Sequence, residues 1–441
     1  MAKMKMPTPE DITGMWQASG LKEKLLFTFA MIAIFRFGVH IPIFGIVNID
    51  TLTKGSAGNL VGFLDIFTGG AISKLSIFAL GIGPYITASI IIQLLTAAVP
   101  ALEKLQKEEG EAGRRKISQY TRIFTVVLSL FQATVFLTFL HKSNMLSPEG
   151  IPALNFVGSV LTLTAGTMFI MWLAELITEN GIGNGASILI FIGIISRLPT
   201  YFGGTAKLVG GNTGMAFSLL IVIAVFLATL VLIVIMQEAM RKVIIVNARR
   251  QVGNKVYGGV NTHIPFKLNP GGVMPIIFAV AILLFPTTVL GFVSKGNIPE
   301  VLRTVIDFIT NNLLKGYSYY IIYFILIIGL TFFYASIMPN MQPKEIANNL
   351  KKHGSSIPGI KPGKPTADAL DKILSRVTFI GALGLGIIAL VPGIATQMSH
   401  FTTLQGIGST SLIIMVGVAL DFINQIKTHL LARQYEGFLK Q

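Results

Sequence analysis

Met215 to Met236 reads MAFSLLIVIAVFLATLVLIVIM, an uninterrupted run without one charged side chain. An α-helix needs about 20 apolar residues to cross the hydrocarbon core of a bilayer, which is about 30 Å thick. The run therefore predicts a transmembrane helix. Apolar residues make up 52% of the 441-residue chain and charged residues only 12%, and the mean hydropathy is +0.70. This balance is typical of a chain that lies largely in lipid.

Ten such runs divide the sequence and predict ten transmembrane helices. They begin near Leu25, Ile77, Ile123, Leu154, Ala186, Met215, Val273, Tyr317, Ile373 and Ser411. Lysine and arginine concentrate in the cytoplasmic loops of membrane proteins. With the N-terminus placed in the cytoplasm, 26 of the 35 lysines and arginines fall in inside segments, 8 in outside segments, and Arg36 alone in a span. Both termini are therefore predicted to be cytoplasmic.

The spans form two halves of five, residues 1–209 and 210–441. Because five is odd, the second half crosses the membrane in the opposite sense, which is compatible with an inverted pseudo-repeat around a central cavity. Two long loops, near 240–272 and 340–372, interrupt the second half. The first contains KVIIVNARRQVGNKVYGGV, whose apolar–polar alternation around a glycine break predicts a β-hairpin.

Leu60 to Ser73 (LVGFLDIFTGGAIS) is apolar but too short to cross a bilayer, and it contains Asp65 and the pair Gly69–Gly70. Irregular backbone at membrane depth is tolerated only where it is buried in protein or lines a water-filled cavity. The segment therefore predicts a re-entrant half-helix. A loop lying on the outer surface is the alternative interpretation.

The sequence indicates no catalytic, cofactor or metal site. Cysteine is absent, and the six histidines are scattered without ligand spacing on one helix. GIGNGAS, from Gly181 to Ser187, lacks the phosphate-loop pattern. The net charge of +15 lies in short loops between apolar runs, so it does not indicate nucleic-acid readout. A secondary transporter of a small solute is the alternative function, but such a protein normally carries ionisable groups near its midplane.

Several long stretches resemble the SecY family, the pore subunits of bacterial protein-conducting channels. They are FRFGVHIP (Phe35–Pro42), SIFALGIGPYITASIIIQLLT (Ser76–Thr96), EGEAGRRKISQYTR (Glu109–Arg122), ITENGIGNG (Ile177–Gly185), NTHIPFKLN (Asn261–Asn269) and EIANNLKKHGSSIPGIKPGKPT (Glu345–Thr366). They follow the family's order over nearly the whole chain.

The resemblance implies a multi-pass protein of the bacterial plasma membrane that is not an enzyme. It implies translocation of unfolded polypeptides through an hourglass pore, and membrane insertion of hydrophobic segments through a lateral gate. The implied partners are SecE, SecG, the SecA motor ATPase, the ribosome, substrates with signal sequences, and membrane lipids.

The resemblance also assigns residues to four sites. The implied pore ring is Ile82, Ile86, Ala186, Ile190, Ile277 and Ile414. The implied plug is Phe63, Leu64, Asp65, Ile66, Phe67, Thr68, Gly69, Gly70, Ala71 and Ile72. The implied lateral-gate residues are Thr87, Gln93, Asn269 and Phe285. The implied docking residues for motor and ribosome are Arg249, Arg250, Lys255 and Lys361. Ala186 and Lys361 depart from the family's usual isoleucine and arginine.

Overall fold

The computed structural model describes residues 20–43, 65, 67–142, 153–209, 213–247, 250–252, 255–257, 261–293, 317–337, 342–398 and 409–439. Its helices are α1 (Leu21–Gly38), α2 (Gly83–Ala98), α3 (Pro100–Glu108), α4 (Gly110–Lys142), α5 (Ala153–Asn180), α6 (Gly185–Val209), α7 (Thr213–Glu238), α8 (Met274–Val293), α9 (Tyr317–Ile337), α10 (Pro343–Lys352), α11 (Lys364–Met398) and α12 (Ser409–Leu439). Its strands are β1 (Met240–Asn247), β2 (Arg250–Val252), β3 (Lys255–Tyr257), β4 (Asn261–Lys267) and β5 (Ser355–Ser356).

Each of the ten predicted spans falls on one of these helices, and only the short helices α3 and α10 lie outside them. Within the described residues, seven helices are individually long and apolar enough to cross a bilayer. Helix α2 becomes an eighth when it is counted with α3, to which it is bent by 104°. The chain is thus a mainly α-helical, multi-pass membrane protein, as the hydropathy predicts.

Two of the membrane-spanning helices begin earlier in the sequence than the apolar runs predict. Helix α4 begins at Gly110, well before the apolar run at Ile123, and α11 begins at Lys364, before Ile373. Both extensions are polar and pack on a short helix, α4 against α3 and α11 against α10. Hydropathy identifies only the part of a helix that lies in hydrocarbon. The apolar pattern therefore does not predict these polar helical turns.

The backbone contacts divide the chain into two compact units. Unit 1 comprises the described residues of 1–207, 288–300 and 418–441, and unit 2 those of 208–287 and 301–417. In unit 1, α4 packs against both α2 and α5, and α1 packs against α5. In unit 2, α11 packs against both α7 and α9.

The core of unit 1 surrounds a run of turns that precedes α2. Leu75 from these turns is buried with Leu137, Leu140 and Leu163 of α4 and α5. A Cβ at Gly166 of α5 would collide with the carbonyl oxygen of Ile77, so glycine allows the helix to lie directly on the turns. The turns are therefore held by the helices and do not form a free surface loop.

Unit 2 carries a compact structure built from both long loops, which we call the loop module: β1, β4, β5, α10 and the first turns of α11. Strand β1 pairs antiparallel with β4 over Met240–Lys267 to Val246–Asn261. Strands β2 and β3 form the continuing hairpin, pairing Arg250 with Tyr257. The predicted β-hairpin is therefore confirmed.

Candidate functional site

The turns in front of α2 contain most of the segment predicted to be re-entrant. We call its described part, Asp65 and residues 67–73, the turn segment. Helical geometry at Asp65 and Phe67 gives way to consecutive turns from Thr68 to Ile82. Gly69 and Gly70 have φ values of +67° and +96°, which end a right-handed helix. Within the described residues, Asp65 and Phe67 are helical and residues 68–73 form turns; residues 60–64 and Ile66, which the predicted half-helix includes, lie outside the description.

The Asp65 carboxylate organises the turn segment from inside. The side chain is buried, with 2% of its surface exposed. Its Oδ1 accepts a hydrogen bond of 2.9 Å from the backbone N–H of Ser73, and its Oδ2 accepts one from the Ser73 hydroxyl. The Asp65 carbonyl accepts the N–H of Gly70 at 3.0 Å. One carboxylate and its backbone therefore close the loop from residue 65 to residue 73.

Arg197 of α6 provides the countercharge for this carboxylate. Its guanidinium forms an ion pair with Asp65 through Nη2, and the same nitrogen donates a 2.7 Å hydrogen bond to Oγ of Ser73. Charge-assisted hydrogen bonds of this kind are about twice as strong as neutral ones. Arg197, Asp65 and Ser73 therefore tie the turn segment to α6.

Arg36 of α1 makes a second attachment a few residues further along. Its Nη1 donates to the carbonyl of Gly69 at 3.0 Å and to Oγ of Ser196 at 2.9 Å. The exposed Lys74 adds a third cation beside the segment, and its pKa lies below the ordinary value because of partial desolvation and, second, the nearby Arg36 charge. The surroundings of Asp65 are therefore strongly positive.

The glycine pair fits closely between these cations. A Cβ at Gly69 would lie 2.9 Å from Cα of Gly193 and 3.1 Å from Nη1 of Arg36. A Cβ at Gly70 would lie 3.1 Å from Nε of Arg197. Both positions combine positive φ with a short contact, to the backbone at Gly69 and to the Arg197 side chain at Gly70. Gly69–Gly70 therefore allows close packing and also ends the helix.

Residues of the implied pore ring are aliphatic and mostly buried. Ile82 directly precedes α2, and the N–H of Ile86 bonds its carbonyl at 3.1 Å. Ile190 of α6 is buried and Ala186, one turn earlier, is half-buried. In unit 2, Ile277 of α8 and Ile414 of α12 are buried.

The implied gate residues find polar partners inside their own units. In unit 1, Thr87 donates to the carbonyl of Gly83 at 3.0 Å, and Gln93 donates to Oγ of Ser89 at 3.0 Å. In unit 2, Nδ2 of Asn269 donates to the Gly272 carbonyl at 2.6 Å and to Oε1 of Gln237 at 3.4 Å. Phe285 lies on α8, and its side chain is outside the described residues.

The docking residues implied by the resemblance belong to the two long loops. Arg250 and Lys255 lie on β2 and β3, their side chains and all of Arg249 being outside the description. Lys361 is exposed just before α11. The structure adds that these loops are joined: β5 pairs with β1 through Val246 and Ser356.

A common core also joins the loops. Phe266 and Val243 of the first loop are buried with Ile357, Leu370 and Leu374 of the second. Sequence reasoning treated the two loops separately, because no local pattern links a two-residue strand to a partner more than one hundred residues away.

Sequence reasoning also missed Ser73, Ser196 and Arg197 as site residues. In the charge distribution, Arg197 is one of the eight lysines and arginines in outside segments, at the end of the fifth predicted span. One sequence signal points to Arg197. It is an arginine at the end of a predicted span, in the same half of the chain as Asp65, which is a carboxylate within a short apolar segment.

Comparisons with known proteins identify the family. The SecY family model matches residues 76–423. The protein translocase subunit SecY of Synechococcus elongatus is 44% identical over 436 residues, covering 98% of this chain and 97% of the relative.

Two solved structures share the fold. One is a SecY protein whose plug domain is described as stabilising the closed state of the translocation channel; it has a TM-score of 0.65 at 18% identity, covering 93% of this chain and 92% of that chain. Sec61 in the canine ribosome–channel complex has a TM-score of 0.60 at 15% identity, with the same coverage. By the family match over most of its length, the chain belongs to the SecY family.

Proposed function

We propose that this chain is the pore-forming subunit of a channel that passes unfolded polypeptides across a bacterial plasma membrane. It also releases hydrophobic segments sideways into the bilayer. The observation that carries the proposal is the near full-length match to a protein translocase subunit. Substrates with signal sequences are the polypeptides that such a channel accepts.

The described helices favour a polypeptide path over a small-solute site. The buried carboxylate of Asp65 is paired with Arg197 and accepts a hydrogen bond from Ser73. The residues of the proposed ring are aliphatic, and a narrow apolar collar resists ions by dewetting while it accepts any extended sequence. A secondary transporter would need a polar site that can receive a solute, whereas the described polar groups around Asp65 contact one another.

The turn segment is proposed to be the plug that blocks the pore of the idle channel. Its support is its burial, its close fit at Gly69–Gly70 and its connection to α1 and α6. The pore is proposed to lie between the halves 1–209 and 210–441, with Thr87, Gln93, Asn269 and Phe285 along the lateral gate.

The loop module is proposed to face the cytoplasm together with both termini. Its exposed cations, among them Arg241, Lys242, Lys351, Lys352 and Lys361, support this orientation. The two long loops would dock the SecA motor and the ribosome, through Arg249, Arg250, Lys255 and Lys361. SecE and SecG would be the companion subunits. The chain itself would not be an enzyme, because the motor supplies the energy of ATP hydrolysis.

Reconstitution tests the function directly. Proteoliposomes with the chain, a SecE-type subunit, the motor ATPase and ATP should protect an added unfolded preprotein from protease. Failure to protect any preprotein, with the motor active, would contradict the channel.

The docking assignment is tested in the same vesicles. Lys361→Glu should slow motor-driven transport severalfold, because a reversed charge repels an acidic docking surface. Arg249→Glu with Arg250→Glu should weaken ribosome binding instead. Lys104→Glu on α3 reverses an equally exposed charge outside the loop module and serves as the control. Equal rates in the loop variants and the control would remove the docking role.

A further inference from the structure

The turn segment makes its strong polar contacts with two helices that are remote in sequence. Arg36 lies on α1 and Arg197 on α6, and both donate to the segment. On α6, Arg197 pairs with the buried carboxylate of Asp65 and also donates to Oγ of Ser73. A contact made by a buried charge carries a large free-energy difference between its made and broken states. The arrangement is therefore suited to holding a segment in one of two positions.

Asp65 and Ser73 make the attachment specific to the folded turn. Nη2 of Arg197 bonds Ser73 and pairs with Asp65, and these two residues also bond each other. The three groups form a closed set in which each contacts the other two. If the turn unfolds, Ser73 leaves Asp65 and the guanidinium loses one of its two partners. Folding of the turn and its attachment to α6 are thus coupled.

The guanidinium of Arg197 is committed to this attachment. Its Nε is buried and has no hydrogen-bond partner among the described residues, and it lies against Gly70. Among the described residues, Arg36 by contrast donates to neutral oxygens, those of Gly69 and Ser196. The ion pair with Asp65 is therefore the stronger attachment and the Arg36 bonds the weaker one.

We propose that Asp65, Ser73 and Arg197 form a clasp that positions the turn segment in the closed channel, with Arg36 as a second hook. These are positioning residues: they hold the blocking segment and do not contact the transported chain. Breaking the clasp is the step that frees the segment. The proposal rests on the proposed function of the segment as a plug.

The resting ion conductance of the reconstituted channel in planar bilayers tests the clasp. Asp65→Asn and Arg197→Gln should each raise it about tenfold or more, the change that accompanies loss of one hydrogen bond to a charged group. Arg197→Lys, which keeps the charge, should restore part of the closure. The double variant should conduct no more than the worse single variant, because both substitutions remove the same interaction.

Lys74→Gln is the matched control. It also removes one positive charge beside the segment, but from an exposed side chain for which the described residues show no ion pair. Its conductance should equal that of the unaltered channel. Thermal unfolding of each purified variant separates a closure effect from misfolding, and Ser73→Ala provides a milder break of the same set.

Two outcomes would overturn the clasp in distinguishable ways. If deletion of residues 65–72 raises conductance while the clasp variants conduct like the Lys74→Gln control, the plug remains and the clasp is wrong. If the deletion itself leaves the conductance unchanged, the plug is wrong and the clasp falls with it. Protease protection of the preprotein in either case reports separately on the channel.

Discussion

At Gly70 the backbone has a φ of +96°, and a Cβ there would lie 3.1 Å from Nε of Arg197. An L-residue in such a conformation is strained by about 1–3 kcal/mol. The strain exists only while the turn segment is docked, since a displaced segment can relax its backbone. Gly70 therefore affects the balance between the closed and the opened channel more than it affects the fold.

Gly70→Ala should raise the resting conductance, because about 1–3 kcal/mol shifts a two-state equilibrium by about 5- to 150-fold. Gly158→Ala is the control: this helical glycine of α5 has nothing within 4 Å of its Cβ position. Alanine there should leave conductance unchanged and add about 1 kcal/mol of helix stability. Equal conductance in the two variants would contradict the close fit of the turn segment.

Single residues were predictable from the sequence to different degrees. Gly69–Gly70 and Asp65 stand out locally, because breakers and a carboxylate are unusual in an apolar segment. Their partners do not stand out. Arg197 follows Asp65 by more than one hundred residues, and an arginine near the end of a span is ordinary in membrane proteins. Only the packing of α6 on the turn segment brings the two together.

The loop module packs the two long loops around one core. Phe266 of β4 is 2% exposed within its core, whereas Ile244 of β1 is 57% exposed. The neighbouring residues on β1 alternate between buried and exposed, as expected for a strand with one packed face. A core of this kind gives the two loops a fixed structure of their own.

Phe266→Ala should unfold the loop module without unfolding the helices, because removing a buried phenylalanine costs about 3–5 kcal/mol. Limited proteolysis should then cut both loops, although the substitution lies in only one. Motor-driven transport should fall with it. Ile244→Ala, an exposed aliphatic residue on a paired strand, should remain resistant to protease. Cleavage confined to 240–267 would contradict the common core.

At the scale of the element, hydropathy and alternation predicted the spans and the hairpin. They did not predict the short polar elements that pack beside them. Periodicity identified β1 because its alternating residues are local. Helix α10 and strand β5 are short and polar. Helix α10 packs on the core that contains Val243 and Phe266, and β5 pairs with Val246 and Asn247 of β1. Structure of this kind depends on tertiary packing, which outweighs local propensity.

For the whole molecule, the apolar runs were sufficient to predict the membrane-spanning fold. Helix α7 exposes large apolar side chains on several sides, including Phe217, Leu220 and Val231. Such a surface is stable only in lipid or against another apolar protein. The prediction of ten spans and of the family is confirmed, because these signals are repeated along the entire chain and do not depend on any one contact.

The lateral gate remains a prediction that joins the two halves of the chain. Cysteines at Thr87 and Phe285 should form a disulfide in the idle channel, which requires Cα atoms within about 7 Å. The chain has no native cysteine, so the oxidised product is unambiguous on a gel. Locking the pair should block a large substrate, and a long flexible crosslinker should restore passage. Absence of the disulfide in every nucleotide and substrate state would remove the gate.

The pairing of Ser355–Ser356 with Val246–Asn247 has a consequence for exchanges between relatives. A graft that replaces only residues 240–267 would present a foreign strand to the native β5 and a foreign face to Leu370 and Leu374. The strand pairing and the core packing between the two loops would then be mismatched, even if the donor loop came from a working relative. Grafts that move 240–267 and 342–374 together keep the strand pairing and the shared core intact. These two separated stretches should therefore be exchanged as one structural unit.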